Sequence, residues 1–127
     1  MRVTSRVVVR FTAQGFHRWD SAPPHREYLG SKHRHLFYVE VSVTVRDLDR
    51  EIEFHDLLEH SEVAWHTQGL DLGGASCEMM ALRMLHSLQP IYGKHDVTVS
   101  VFEDGEVGAL VEYLAADNEG GTNVQDQ

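Results

Sequence analysis

The stretch FYVEVSVTV at Phe37–Val45 alternates apolar and polar residues without interruption. Phenylalanine and four valines fill the odd-numbered positions, and tyrosine, glutamate, serine and threonine fill the even ones. Successive side chains of a β-strand point to opposite faces, so this pattern places all the apolar residues on one face. The stretch therefore predicts a half-buried strand with one face against a core.

Three further stretches have strand-like alternation. They are Val3–Thr12, Val97–Glu103 and Val107–Leu114. The last two are separated only by Asp-Gly-Glu at 104–106, a sequence that is typical of a tight turn. We therefore predict four strands, of which the third and fourth form a hairpin.

Between the strand pairs the apolar spacing changes to that of a helix. Cys77–Leu88 carries an apolar stripe at i, i+3, i+4 and i+7, which predicts an amphipathic helix. Ser76 is its predicted N-cap, and Glu78 suits the positive end of the helix in the first turn. Pro90 is predicted to end the helix soon after Leu88. Asp56–Trp65 has a partial stripe and predicts a second helix. The element order is therefore ββααββ.

This order predicts an α+β domain over residues 1–114, with an antiparallel sheet and two helices on one face. Gly69–Gly74 is predicted to be a loop between the helices, and the polar segment Ala115–Gln127 is predicted to be a disordered tail. A chain of 127 residues fits a single domain.

Composition excludes several classes of protein. With 11 basic and 20 acidic residues the net charge is -9, which disfavours nucleic-acid binding. No apolar run reaches the ~20 residues of a membrane span, and Met1–Arg10 lacks the apolar core of a signal peptide, so we expect a cytoplasmic protein without membrane contact. The one cysteine leaves any metal site to histidines and carboxylates, and the chain has nine histidines.

His33 and His35 are the first candidates for metal binding. Residues at i and i+2 of a strand share a face. His33 and His35 are odd-numbered, like Phe37, so if the second strand extends back to them they lie on its apolar face, at the inner edge of the sheet. His17 is the best third ligand, because Gln14-Gly15 predicts a turn or bulge that would carry it toward the neighbouring strand. Three imidazoles with one open position are typical of catalytic zinc, although exposed loop histidines are also common.

Three other side chains have two interpretations each. Glu103 continues an inward row of valines, where it would accept ring N–H groups from a ligand, or it turns into solvent. His66, in a region with Asp71, is either an acid/base group or a surface residue. Cys77 at a helix start is either a thiol of lowered pKa or, more simply, a buried core residue.

Five segments of the sequence, taken in this order, resemble segments of a known protein family. They are FTAQGFH at 11–17, HRH followed by LFYVEVSV at 33–43, IEFHDL at 52–57, SCEMMA at 76–81 and VSVFED at 99–104. Together, over Val7–Tyr113, they resemble the 6-pyruvoyl-tetrahydropterin synthase family, which includes the 6-carboxy-tetrahydropterin synthase of queuosine biosynthesis.

The resemblance implies a T-fold whose subunits join their sheets into a barrel, as a homo-oligomer built from trimers, with a hexamer as one arrangement. It implies Zn²⁺ held by His17, His33 and His35, and a pterin ring bound by Glu103 together with Glu78. The implied reaction converts dihydroneopterin triphosphate to 6-carboxy-tetrahydropterin.

The sequence also departs from the family pattern. Leu29 stands where the family has its catalytic cysteine, so Glu27 and His66 are the predicted catalytic residues, with an exposed loop as the alternative for Glu27. Arg34 replaces the middle glycine of His-Gly-His and either contacts a phosphate or points away from the site. An alternative function is therefore a T-fold protein that binds a pterin or purine with aldolase-like chemistry or with no catalysis.

Overall fold

One antiparallel sheet of four strands forms the base of the fold, and the structure, a computed structural model, describes residues 1–116. The strands follow one another in the sheet in chain order, β1 (Ser5–His17), β2 (His33–Val45), β3 (Val97–Glu103) and β4 (Val107–Tyr113). The helices are α1 (Phe54–His66), α2 (Cys77–Tyr92) and a 3-10 helix at Pro24–Gly30. The predicted α+β class and ββααββ order are confirmed, and the 3-10 helix is an element that the sequence did not predict.

The core lies between the sheet and the two α-helices. In the three strands β1 to β3 the odd-numbered side chains face inward, and α2 packs on β3 and β4 while α1 packs on β1. Burying one large apolar side chain contributes roughly 1.5–3 kcal/mol, so this face supplies much of the stability. The largest fully buried side chains include Phe37, Val41, Val43, Leu57, Trp65, Met80, Met84, Leu88, Val97, Val99 and Val101.

The predicted end of the first strand at Thr12 and the turn or bulge at Gln14-Gly15 are wrong. β1 continues to His17 in regular pairing with β2, and Gly15 lies opposite His35. A Cβ on Gly15 would lie 3.0 Å from Cε2 of Phe37, so the glycine gives the buried ring room to approach the strand. A glycine inside a strand can mark a close approach as well as a bend or a bulge.

The predicted end of the second helix is also wrong. α2 includes Pro90 and ends at Tyr92. A proline removes one backbone N–H bond, but here only two residues of helix follow it, and Tyr92 is buried, with its hydroxyl 2.7 Å from Nδ1 of His60. At the other helix, α1 begins at Phe54 because the Glu53 carboxylate accepts the N–H of His55 at 3.0 Å.

The end of the domain lies beyond Leu114. Ala115 is buried, and its N–H donates to Oδ1 of Asp96 at 2.9 Å, so it belongs to the folded part of the chain. The rest of the predicted tail, residues 117–127, lies outside the described residues. Within residues 1–116, no helix is long and apolar enough to cross a membrane.

Gly108 has no room for a side chain in the β3–β4 hairpin. A Cβ there would overlap the carbonyl oxygen of Val101 and lie 2.6 Å from Cα of Phe102. Because these are backbone atoms, we expect Gly108→Ala to lower the free energy of unfolding by about 1–3 kcal/mol, measured by urea unfolding. Leu110→Ala is the control, since Leu110 is 62% exposed on the same strand and should change stability by less than about 0.5 kcal/mol. Equal stability of the two variants would contradict this prediction.

Candidate metal centre

Three histidines meet at one end of the β1–β2 pair. His17 is paired with His33 across the strands, and His35 shares the face of His33 two residues further along. The ring centroids are 4.6 Å apart for His17 and His33, 5.3 Å for His17 and His35, and 4.9 Å for His33 and His35. One nitrogen from each ring lies within 4.8 Å of the others. The three histidines predicted from the sequence therefore lie close enough together to bind a metal ion.

The Nδ1 atom of each ring has a hydrogen-bond acceptor outside the cluster. His17 faces the carbonyl of Ala75 at 3.0 Å and His33 the carbonyl of Ser31 at 2.8 Å. The third ring, His35, faces a carboxylate oxygen at 2.7 Å. Because these oxygens are acceptors, each Nδ1 carries a hydrogen, and in the neutral form of each ring the lone pair is on Nε2. This arrangement is typical of metal-ligating histidines.

The Nε2 atoms of His17 and His35 are buried and have no hydrogen-bond partner. A buried polar atom without a partner costs about 1–3 kcal/mol, and most such atoms in folded proteins are satisfied. A bound cation would satisfy both nitrogens together. The donor set therefore fits a metal that prefers imidazole.

The loop between the helices fixes His17. The N–H of Phe16 donates to the carbonyl of Leu70 at 3.0 Å, and the N–H of Leu72 donates to the carbonyl of Phe16 at 2.7 Å. The N–H of Arg18 donates to the carbonyl of Gly73 at 2.9 Å. The predicted loop therefore runs along the edge of β1 and brings the Ala75 carbonyl to His17.

Asp104 orients His35, and this role was not predicted. Its Oδ2 accepts from His35 at 2.7 Å, its Oδ1 accepts the N–H of Leu36 at 3.0 Å, and its own N–H donates to the Leu36 carbonyl at 2.7 Å. The His35 hydrogen bond, followed by that from Leu36, holds the pKa of Asp104 below its usual value. The stabilisation from the ionised carboxylate is present above the ordinary carboxyl pKa and is lost as pH falls through the lowered one.

Asp104→Asn is expected to weaken metal binding about tenfold. An amide has one acceptor oxygen, whereas two donors, from His35 and Leu36, need an acceptor here, so His35 loses its fixed orientation. The measurement is a competition titration of zinc against a chromophoric chelator. Asp20→Asn is the control, because Asp20 pairs with Arg18 at the surface. Equal affinity in the two variants would contradict the orienting role.

A cleft of about 330 Å³ opens beside the histidines. The residues that line it include His17, His33, Leu29, Ala75, Cys77, Glu78 and Glu103. Both predicted substrate-binding carboxylates therefore border the same cleft, with Glu103 at the end of β3 and Glu78 in the first turn of α2.

Glu103 turns toward the histidines and not into solvent. Its Oε2 lies 3.1 Å from Nε2 of His17, and its Oε1 lies 3.7 Å from Nε2 of His35. The Cys77 thiol lies 4.0 Å from Oε2. Burial, and then the charges of Glu103 and Glu78, raise the pKa of Cys77 to about 12. The thiol is thus protonated at neutral pH, so burial outweighs the effect of the helix start.

The other predicted residues lie away from this cluster. Glu27 is exposed in the 3-10 helix and His66 is exposed at the end of α1, and neither is among the described residues that line the cleft. Their catalytic role stays a prediction. Arg34 is exposed and has the parity opposite to that of the histidines, so it lies on the other sheet face.

Comparison of the chain with models of known protein families and with curated proteins gives no match.

Proposed function

We propose that the protein is a zinc-dependent lyase of the pterin synthase type. It converts dihydroneopterin triphosphate to 6-carboxy-tetrahydropterin, in 7-deazaguanine and queuosine biosynthesis, or acts on a closely related pterin. The observation that carries this proposal is the cluster of His17, His33 and His35 beside a cleft that is bordered by Glu103. The five sequence segments and the ββααββ order support it.

The proposed metal is zinc, held by the Nε2 atoms of the three histidines. Neutral imidazole is a common zinc ligand, and three protein ligands with an open fourth position are usual in catalytic sites. When bound, zinc polarises substrate oxygens and acidifies the neighbouring C–H bonds.

The residues of the cleft bind and orient the substrate. The Glu103 carboxylate accepts two N–H groups from the edge of the pterin ring, and Glu78 binds beside it. A volume of about 330 Å³ is at the lower end of small-molecule sites and is suited to a flat bicyclic ring. Leu29 and Ala75 give the cleft apolar walls against which a flat ring can pack.

Glu27 and His66 are the proposed acid/base groups. Since neither lines the cleft of its own chain, each would act across an interface between copies. The proposed assembly, a T-fold barrel in a homo-oligomer built from trimers, supplies such interfaces. It is supported by the edge strands β4 and β1, of which β1 is covered by the loop between the helices only near Phe16, so that outer backbone groups elsewhere can pair with another sheet.

Mass spectrometry of the products tests the proposal. We expect the zinc-loaded protein to convert dihydroneopterin triphosphate and one molecule of water to 6-carboxy-tetrahydropterin, acetaldehyde and triphosphate. His35→Ala protein treated in the same way is the control and should leave the substrate intact. Unchanged substrate with the zinc-loaded wild-type protein would contradict the proposed reaction.

A second candidate function is binding of a pterin or purine with altered or lost catalysis. It is favoured by Leu29, an apolar residue that lines the cleft at the place of the family's cysteine, and by the protonated Cys77. Loss of catalysis would be supported if the wild-type protein binds the ring without forming a product and Glu103→Gln abolishes this binding. Release of glycolaldehyde from dihydroneopterin would support an aldolase-like reaction.

A further inference from the structure

We propose that Glu103 is a fourth ligand of the metal when no substrate is bound. This inference rests on the proposed function, because it requires a metal ion at His17, His33 and His35. It adds a residue to the metal site and assigns Glu103 two successive partners, first the ion and then the substrate ring.

The first argument is the spacing of the ligand atoms. Bonds of 2.0–2.2 Å from zinc to nitrogen and oxygen, in tetrahedral geometry, place ligand atoms about 3.3 Å apart. Oε2 of Glu103 is 3.1 Å from Nε2 of His17, and Oε1 is 3.7 Å from Nε2 of His35. Oε2 thus lies at about the separation of neighbouring ligands from His17, and the other oxygen of the same carboxylate lies somewhat farther from His35.

The second argument is the direction of these contacts. Although Oε2 is 3.1 Å from His17, the Nε2 atom makes no hydrogen bond, so the oxygen lies off the line along which a ring N–H would point. The Nε2 atom of His35 is unpartnered in the same way. Ligands that converge on one ion have this arrangement, because each lone pair points at the ion and not at the next ligand.

The third argument is the charge of Glu103. Its side chain is 24% exposed, and within residues 1–116 it contacts the imidazoles of His17 and His35 and the Cys77 thiol. A largely buried carboxylate needs a cation or strong donors to offset its desolvation. The pairing of Glu103 with Phe37 across β3 and β2 holds it at the cluster.

The consequence is a metal site in which protein side chains fill all four positions when no substrate is bound. While Glu103 occupies the fourth position, small anions have no open position on the ion. With a pterin in the cleft, the Glu103 carboxylate would turn to the N–H groups of the ring and would no longer occupy the fourth position. Substrate binding and opening of the metal site are thereby coupled through one side chain.

Azide binding to the cobalt-loaded protein tests this inference, with the visible Co²⁺ spectrum as the readout. Glu103→Gln removes the charge and the ligand. Glu103→Asp keeps the charge but shortens the side chain by one methylene, so the carboxylate no longer reaches the ion. Glu78→Gln is the control, because it removes a carboxylate from the same cleft without changing the cluster.

We expect wild type and Glu78→Gln to resist azide, and both Glu103 variants to bind it at least about tenfold more tightly. Azide binding by wild type as tight as by Glu103→Gln would overturn the inference, and Glu103→Asp serves for the same comparison if Glu103→Gln does not fold. Tight azide binding by Glu103→Gln but not by Glu103→Asp would also overturn the inference, because loss of the negative charge alone would then explain the effect. A wild-type protein that binds no stoichiometric Co²⁺ or Zn²⁺ would instead remove the metal site and the proposed function with it.

Discussion

Replacing His35 with alanine is expected to reduce bound zinc from about one ion per chain to less than about a tenth of that. Its Nε2 atom is buried and unpartnered, and its Nδ1 atom is fixed by Asp104 at 2.7 Å, so the ring is oriented before the metal arrives. Loss of a partner outside the ligand shell already weakens metal sites by about 10–100-fold, and loss of a ligand should exceed this. The expected weakening is therefore at least about 100-fold.

The measurement is metal content by mass spectrometry after dialysis against a weak chelator. His86→Ala is the matched control, since His86 is exposed on α2 and should leave one zinc per chain. Circular dichroism of both variants checks that the fold is intact. Full retention of zinc in folded His35→Ala protein would contradict the three-histidine site.

Phe37→Ala is expected to cost about 3–5 kcal/mol of the free energy of unfolding. Phe37 is fully buried, and its ring centroid lies 5.3 Å from that of Trp65, 5.7 Å from that of His17 and 5.8 Å from that of His35. Removing the ring leaves a cavity where the core meets the metal centre. Since a domain of this size is stable by about 5–15 kcal/mol, the loss is a large part of the total.

Urea unfolding followed by circular dichroism measures this loss. Phe54→Ala removes the same ring from a residue that is 56% exposed, and we expect it to cost less than about 1 kcal/mol. Similar costs for the two variants would show that Phe37 does not link the core to the site as described.

The sequence predicted the sheet well because its signals are local. Alternation in Phe37–Val45 and in Val97–Glu103 fixes which side chains face the core, and the parity of His33 and His35 follows from it. The meeting of His17 with His33 was also predictable, although through a wrongly placed turn. The actual cause is a strand that continues past Gly15, and a single glycine does not distinguish a turn from a close approach.

The details of the site depend on contacts between distant parts of the chain, which no local pattern contains. Asp104 was predicted only as part of a turn, yet it holds His35, which is 69 residues away in sequence. The contact between Cys77 and Glu103 likewise joins a helix start to a strand end. The sequence did not predict the 3-10 helix that carries Glu27, and it predicted the first α-helix only to Trp65, one residue short of His66. Exposure was one of the two interpretations for each of these side chains, and local pattern could not decide between them.

The most direct test of the account is a crystal structure of the zinc-loaded protein with anomalous diffraction measured at the zinc absorption edge. The account predicts one strong anomalous peak per chain, within bonding distance of Nε2 of His17, His33 and His35. An ion held elsewhere, or no peak between these three rings at full zinc loading, would contradict it.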